Sequence, residues 1–186
     1  MGKELPILPG NEQPATSEEA ESFIYSRVFC QKENSPPLRL LIDFLKARGQ
    51  SPIAPSNIDE TAFDDWAWVQ VALGYHRNRK PIHVFCVRDR GSYKDVYEQE
   101  KRQFLELLTA HNDLESQLVQ EYVSRSRFIL TTRFAEKDMI DEGYDFNGWI
   151  LEFYQEQCNG IVQIDKQGFY SPKGELIVDL SVDIED

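Results

Sequence analysis

The sequence of 186 residues lacks long hydrophobic runs and contains little cysteine. No stretch approaches the roughly 18 consecutive apolar residues that a membrane-spanning helix needs, so we expect no membrane association. The three cysteines, Cys30, Cys86 and Cys158, are far apart and include no Cys-x-x-Cys pair. This spacing argues against a disulfide framework and a zinc site, and it is typical of the reducing cytosol. We therefore predict a cytoplasmic protein.

A signal peptide is not expected either, because residues 1–21 lack a basic stretch followed by an apolar one. These residues instead combine Pro6, Pro9 and Pro14 with acidic and small polar residues. Such a composition cannot bury enough apolar surface to offset the entropy of ordering. We predict a flexible acidic arm over 1–21 and one folded domain over 22–186, a length that suits a single domain.

Positive charge is scarce, with 20 basic residues against 32 acidic ones and a net charge of −12. Residues 1–21 contribute five Glu and one Lys, and residues 176–186 contribute four acids and no base. An acidic total argues against nonspecific binding to nucleic acid or to an anionic membrane surface. We therefore expect a protein partner rather than a nucleic acid.

Hydrophobic periodicity predicts elements in the order β-α-β-β-α-α-β-α-β-β-β. Segments 22–30, 82–88 and 126–134 are apolar on both sides, as interior strands are. The order contains the βαββαβ arrangement of the ferredoxin-like fold. We predict an α+β domain with a ferredoxin-like core sheet and helices on one face. A C-terminal extension would add a helix over 147–158 and a β-hairpin with strands 168–171 and 175–184.

Strand periodicity argues against a cysteine–histidine catalytic pair. His83 and Cys86 are three positions apart on one predicted strand and therefore point to opposite faces. The three histidines have no zinc-ligand spacing, and the chain contains no Gly-x-Gly-x-x-Gly or P-loop motif. We predict no cofactor, and a non-catalytic role is favoured over an enzyme.

The best metal candidate is a calcium loop that begins at Asp141. Asp145, Asn147 and Glu152 would follow at positions 5, 7 and 12 of an EF-hand loop. Phe146 occupies the position where the sharp turn needs glycine. We therefore interpret Asp145 or Asn147 as the cap of the following helix and predict no metal site.

Aromatic residues on the predicted first and third strands suggest RNA binding as an alternative. They are Phe23, Tyr25, Phe29, His83 and Phe85. The RNP1 pattern is absent, and packing beneath the helices accounts for the same aromatic residues.

The helix that follows Gly143 has an unusually wide apolar arc, because Phe146, Trp149 and Phe153 extend the stripe that a surface helix needs. Either the C-terminal hairpin covers the added flank, or the aromatic residues meet a partner or a second copy of the chain. The candidate binding residues are Tyr144, Asp145, Asn147, Trp149, Asp165, Phe169 and Tyr170.

These observations favour a non-catalytic binding or regulatory module that acts through protein–protein contacts, as an immunity or inhibitor protein would. A small enzyme with a site around 144–165 and an RNA-binding ferredoxin-like domain are the two alternatives. A deep pocket with convergent polar groups would favour the enzyme, and a flat apolar patch would favour partner binding.

Overall fold

The computed structural model describes residues 21–181, which form an α+β structure with one antiparallel sheet. The strands are β1 (Phe23–Cys30), β2 (Gln70–Leu73), β3 (Ile82–Arg88), β4 (Phe128–Ala135), β5 (Ile161–Ile164), β6 (Gly168–Tyr170) and β7 (Leu176–Asp179). The helices are α1 (Leu38–Ala47), α2 (Lys94–His111), α3 (Leu114–Arg125) and α4 (Asp141–Cys158), with short 3₁₀ turns at Glu60–Asp64 and Glu136–Asp138. The seven strands lie in the order β2-β3-β4-β1-β5-β6-β7.

Helices cover both faces of the sheet, so the prediction of helices on one face is wrong. The first face carries Val28, Val84 and Leu130, which belong to one core with α1 and α4. The second face carries Phe29 and Ile129, which belong to a separate core with α2 and α3. Neighbouring residues of a strand point to opposite faces, so strands that are apolar on both sides need a cover on each side.

The strand order also differs from the predicted ferredoxin-like order. That fold has its first and third strands side by side, whereas here β4 lies between β1 and β3 and is antiparallel to both. Two helices, α2 and α3, connect β3 to β4, and each helix reverses the direction of the chain. The second reversal makes β4 antiparallel to β3, so the two strands can pair directly. The prediction that 22–30 is an interior strand of a sheet that contains 82–88 and 126–134 is confirmed.

Helix α4 crosses the first face and brings β5 to the far side of β1. It begins at Asp141, six residues before the predicted start, and its first turn holds Asp141 and Glu142. Carboxylates in the first turn interact favourably with the positive end of the helix dipole. Asp145 and Asn147 therefore lie inside the helix, and the interpretation of these residues as caps is wrong.

Gly143, in the first turn of α4, allows the helix to pack closely against Tyr75, which lies two residues after the end of β2. A Cβ atom at this position would lie 2.6 Å from the ring of Tyr75. The helix ends at Cys158, as predicted, because Asn159 adopts the left-handed conformation with φ 49°.

The predicted acidic arm, apart from Glu21, lies outside the described residues, as does the predicted end of the last strand at 182–184. Glu21 forms an ion pair with Lys80. Among the helices of residues 21–181, none combines the length and the hydropathy that crossing a bilayer requires.

Candidate functional site

A buried charge cluster lies on the second face of the sheet, centred on Arg27 of β1. Arg27 is only 1% exposed and shares this face with Phe29, two positions along the strand. Its Nε donates to Glu100 Oε1 of α2 at 2.8 Å. Its Nη1 donates to Gln163 Oε1 at 2.8 Å and to Asp165 Oδ1 at 2.7 Å. The register of β1 and β5 places Gln163 directly opposite Arg27.

The cluster keeps Arg27 charged inside the protein. Burial lowers the pKa of Arg27, but the charges and hydrogen bonds of Glu100 and Asp165 outweigh burial and raise this pKa above its ordinary value. Glu100 is buried as well, whereas Asp165 is partly exposed. The cluster therefore ties β1, α2 and β5 together and reaches the surface at Asp165.

The cover over the second face ends along β1. Exposure on this face rises toward the start of the strand, from 0% at Phe29 and 1% at Arg27 to 9% at Tyr25 and 37% at Phe23. Helices α2 and α3 pack at the Phe29 end of the strand. Within residues 21–181, the start of β1, the start of β3 and the end of β4 therefore form an open end of the second face.

Arg133, near the end of β4, lies at this open end. The strand register places Tyr25 on one side of Arg133 and His83 on the other. The guanidinium carbon of Arg133 lies 5.1 Å from the ring centre of Phe23 and 5.6 Å from that of Phe85. Within the part of the chain that the structure describes, Arg133 has no hydrogen bond and no ion pair. We call the group of Phe23, His83, Phe85 and Arg133 the Arg133 platform.

His83 completes the platform as a flat side chain rather than a second cation. Its ring stacks on Phe85 with 6.4 Å between ring centres and 16° between planes. Burial lowers the pKa of His83, and the charge of Arg133 lowers it further. A histidine whose pKa lies below its usual value is neutral at pH 7. The platform therefore presents one cation, Arg133, among aromatic rings.

The candidate residues predicted on α4 lie on the first face, and they point in different directions. Tyr144 is 49% exposed, and its ring packs edge-on against Phe134. Trp149 is half-buried and contacts Phe44 and Arg48, so α1 covers the flank that the hairpin was expected to cover.

The two polar candidates of α4 also differ in exposure. Asp145 is exposed, whereas Asn147 is buried and its Oδ1 has no hydrogen-bond partner among the described residues. Neither side chain is placed to cap the helix.

The remaining candidates are divided by the sheet. Phe169 is fully buried on the second face against Phe29 and Phe104. Tyr170 is half-buried and belongs to the core of the first face, where its hydroxyl donates to Gln167. Asp165 binds Arg27 on the second face. The seven predicted residues therefore do not form one continuous surface.

Sequence reasoning placed Arg27 and Arg133 on strands but did not include them in a site. An arginine inside a strand whose neighbours are apolar is a signal of a paired buried charge, because an unpaired one is costly. The partner Glu100 is 73 positions from Arg27 and carries no such signal.

The three cysteines are all buried and are free of disulfide bonds. Burial raises the pKa of Cys86 to about 11 and raises that of Cys30 well above its ordinary value. A thiol with a raised pKa is a poor nucleophile, because the thiolate is the reactive form. Within residues 21–181, no group of three His, Cys, Asp or Glu side chains is placed to hold a metal ion.

Comparisons of the chain with protein-family models, with curated proteins and with solved structures find no match. The class of the protein is therefore described from its fold and its candidate site. It is an α+β protein with an antiparallel sheet between two helical layers and an arginine–aromatic platform at one end of the second face.

Proposed function

We propose that the protein is a non-catalytic, cytoplasmic binding module that acts through protein–protein contacts, with the Arg133 platform as its contact surface. The observation that carries this proposal is the guanidinium of Arg133, which lies between two aromatic rings and has no carboxylate partner among residues 21–181. An arginine held in one position loses little side-chain entropy when it binds.

The composition of the platform favours a protein as the ligand. Arginine and aromatic residues are enriched in the cores of protein interfaces and among their energetic hot spots. A carboxylate of the partner would pair with Arg133 through charge-assisted hydrogen bonds. The net charge of −12 favours a partner that is otherwise basic, since opposite surface charges accelerate association.

A different protein is favoured over a second copy of the chain. In a symmetric dimer built on this surface, Arg133 and its symmetry mate would approach each other near the axis. The two chains would also repel each other, because each carries the same negative charge.

Capture of partners from the host lysate, quantified by mass spectrometry, tests this proposal through a matched pair of variants. Arg133→Ala removes the platform cation. Arg102→Ala removes an exposed cation of α2 that forms no ion pair in the described chain. We expect proteins captured by the wild type and by Arg102→Ala to be depleted at least about tenfold with Arg133→Ala, which corresponds to about 1.4 kcal/mol. Equal capture by all three chains would overturn the proposal.

RNA binding through the same platform is the second candidate, because Phe23 and His83 present partly open rings beside a cation. Single-stranded nucleic acids stack bases on such rings. Three other aromatic residues expected to bind RNA are buried, namely Tyr25, Phe29 and Phe85. If nuclease treatment abolished the Arg133-dependent capture, RNA would replace protein as the ligand and the protein proposal would be wrong.

A further inference from the structure

A groove of about 650 Å³ lies on another part of the surface, between the end of α1 and the turn that follows β2. Lys46 and Gln50 line it from the α1 side, Ile53 from the connecting segment, and Tyr75, His76 and Arg77 from the turn. None of these residues belongs to the Arg133 platform.

The lining of the groove is basic although the chain is acidic. Lys46, His76 and Arg77 contribute to it, and no Asp or Glu does. Lys46 and Arg77 form no ion pair in the described chain, whereas the nearby Arg48 and Arg79 pair with Glu152 and Asp138. Unpaired positive charge in a concave, partly apolar surface concentrates the electric potential and attracts anions.

One polar side chain at this groove, that of His76, is oriented by a backbone hydrogen bond. The backbone N–H of Asn78 donates to Nδ1 of His76 at 3.2 Å, which leaves Nε2 as the ring nitrogen that can donate to a ligand. Three carbonyls in the last turn of α1, those of Phe44, Leu45 and Lys46, accept from the backbone N–H groups of residues 48–50. The negative end of the helix is thus covered, and Lys46 adds positive charge in the last turn.

The apolar wall of the groove is held in place by two contacts. Ile53 exchanges two backbone hydrogen bonds of 2.8 Å with Gly74, and its side chain is exposed. The ring of Tyr75 packs against Gly143 and lies 6.1 Å from the ring of Phe146. A hydrocarbon or aromatic group could therefore lie against a fixed surface beside the cations.

We propose that this groove binds a small organic anion, namely a phosphate monoester or a carboxylate that carries an apolar group. Lys46, Arg77 and Nε2 of His76 hold the anionic group. Ile53 and the ring of Tyr75 contact the apolar part. The site is independent of the proposed protein contact, because it shares no residue with the Arg133 platform.

Calorimetric titration of the full chain with phenyl phosphate, benzoate, inorganic phosphate and phenol tests this site. We expect phenyl phosphate or benzoate to bind more tightly than inorganic phosphate and phenol, because only the first two combine both features. The tighter of the two identifies the anionic group. The proposal would be overturned if neither phenyl phosphate nor benzoate bound at concentrations up to about 10 mM. A Kd above that value is too weak for a metabolite site.

Variants assign the binding to the groove. Arg77→Ala should weaken the organic anion at least about fivefold, and Arg102→Ala should leave its affinity unchanged. Ile53→Ser should weaken the organic anion while leaving the affinity for inorganic phosphate unchanged. Equal affinities for Arg77→Ala and Arg102→Ala would place the anion elsewhere and overturn the assignment. Thermal unfolding of each variant verifies that the fold is intact.

Discussion

Ser26 and Arg27 are neighbours on β1 and point to opposite faces of the same sheet. On the first face, Ser26 lies opposite Thr132 of β4, and both side chains are small, uncharged and buried. On the second face, Arg27 is equally buried but is matched by Glu100, Gln163 and Asp165. One strand can therefore contribute to an uncharged core and to a charged one, because successive side chains of a pleated strand point to opposite faces.

We expect the largest effect on stability from the paired buried charges of the second face. Glu100→Ala should cost about 3–5 kcal/mol of unfolding free energy, because it leaves the buried charge of Arg27 with less compensation. Thr132→Val on the first face should change stability by less than about 1 kcal/mol, since the Thr132 hydroxyl has no hydrogen-bond partner among the described residues. Urea unfolding measures both values. Similar losses in the two variants would break the contrast between the faces.

We expect an intermediate effect on stability from packing on the first face. Two glycines of α4, one packed and one open, allow this effect to be measured. Gly143→Ala should cost about 1–3 kcal/mol, because its Cβ would collide with the ring of Tyr75. A Cβ at Gly148 meets open space, so Gly148→Ala should stabilise the helix by about 0.5–1 kcal/mol. Thermal unfolding compares the two variants. A stabilising Gly143→Ala would show that α4 packs less closely than described.

The open end of the second face predicts a smaller loss of stability. Arg133→Ala should cost only about 1 kcal/mol, because Arg133 contacts Phe23 and Phe85 but makes no ion pair or hydrogen bond with described residues. Denaturant unfolding gives this value, and partner capture gives the separate effect on binding. A loss as large as that of Glu100→Ala would make Arg133 part of the buried cluster rather than part of a contact surface.

We expect the smallest effect on stability from protonation of His83. Its pKa in the folded protein is lowered by burial and by Arg133, so the unfolded chain binds the proton more tightly. Stability should therefore be complete above the ordinary histidine pKa of about 6.5 and fall as the pH drops below it toward the folded pKa.

An NMR titration of the histidine ring signals measures this pKa directly. His83 should titrate below the ordinary histidine range in the wild type, and its pKa should move upward in Arg133→Ala but not in Arg102→Ala. An unchanged His83 titration in Arg133→Ala would show that the two side chains do not interact.

The elements of the fold were largely predictable from the sequence, whereas their arrangement was not. The alternation of residues 22–30 and 126–134 predicted the bounds of β1 and β4 to within two residues. The α2–α3 pair was predicted as two helices, whereas the βαββαβ order has one helix at this place, so β4 runs antiparallel to β3 rather than parallel to it. Periodicity is a local property, and strand order depends on how many times the chain reverses between strands.

The candidate site was less predictable because its parts are distant in sequence. Arg133 meets Phe23 and Phe85, which are on separate strands, and Arg27 meets Glu100 on a helix. The predicted α4 cluster relied on the apolar arc around Trp149, and α1 covers that arc with Phe44. A wide apolar stripe shows that a helix needs an additional cover, but it does not show whether that cover comes from within the chain.

The central position of β1 has a consequence for synthesis of the protein. Of the seven described strands, β1 is synthesised first, yet both of its neighbours, β4 and β5, are encoded about a hundred residues or more later. At translation rates of about 5–20 residues per second, the strand waits roughly 5–20 s for its first neighbour. An unpaired apolar strand is prone to aggregation, and a charged residue within it opposes this tendency. We therefore expect Arg27 to oppose aggregation of the nascent strand until Glu100 and Asp165 have been synthesised.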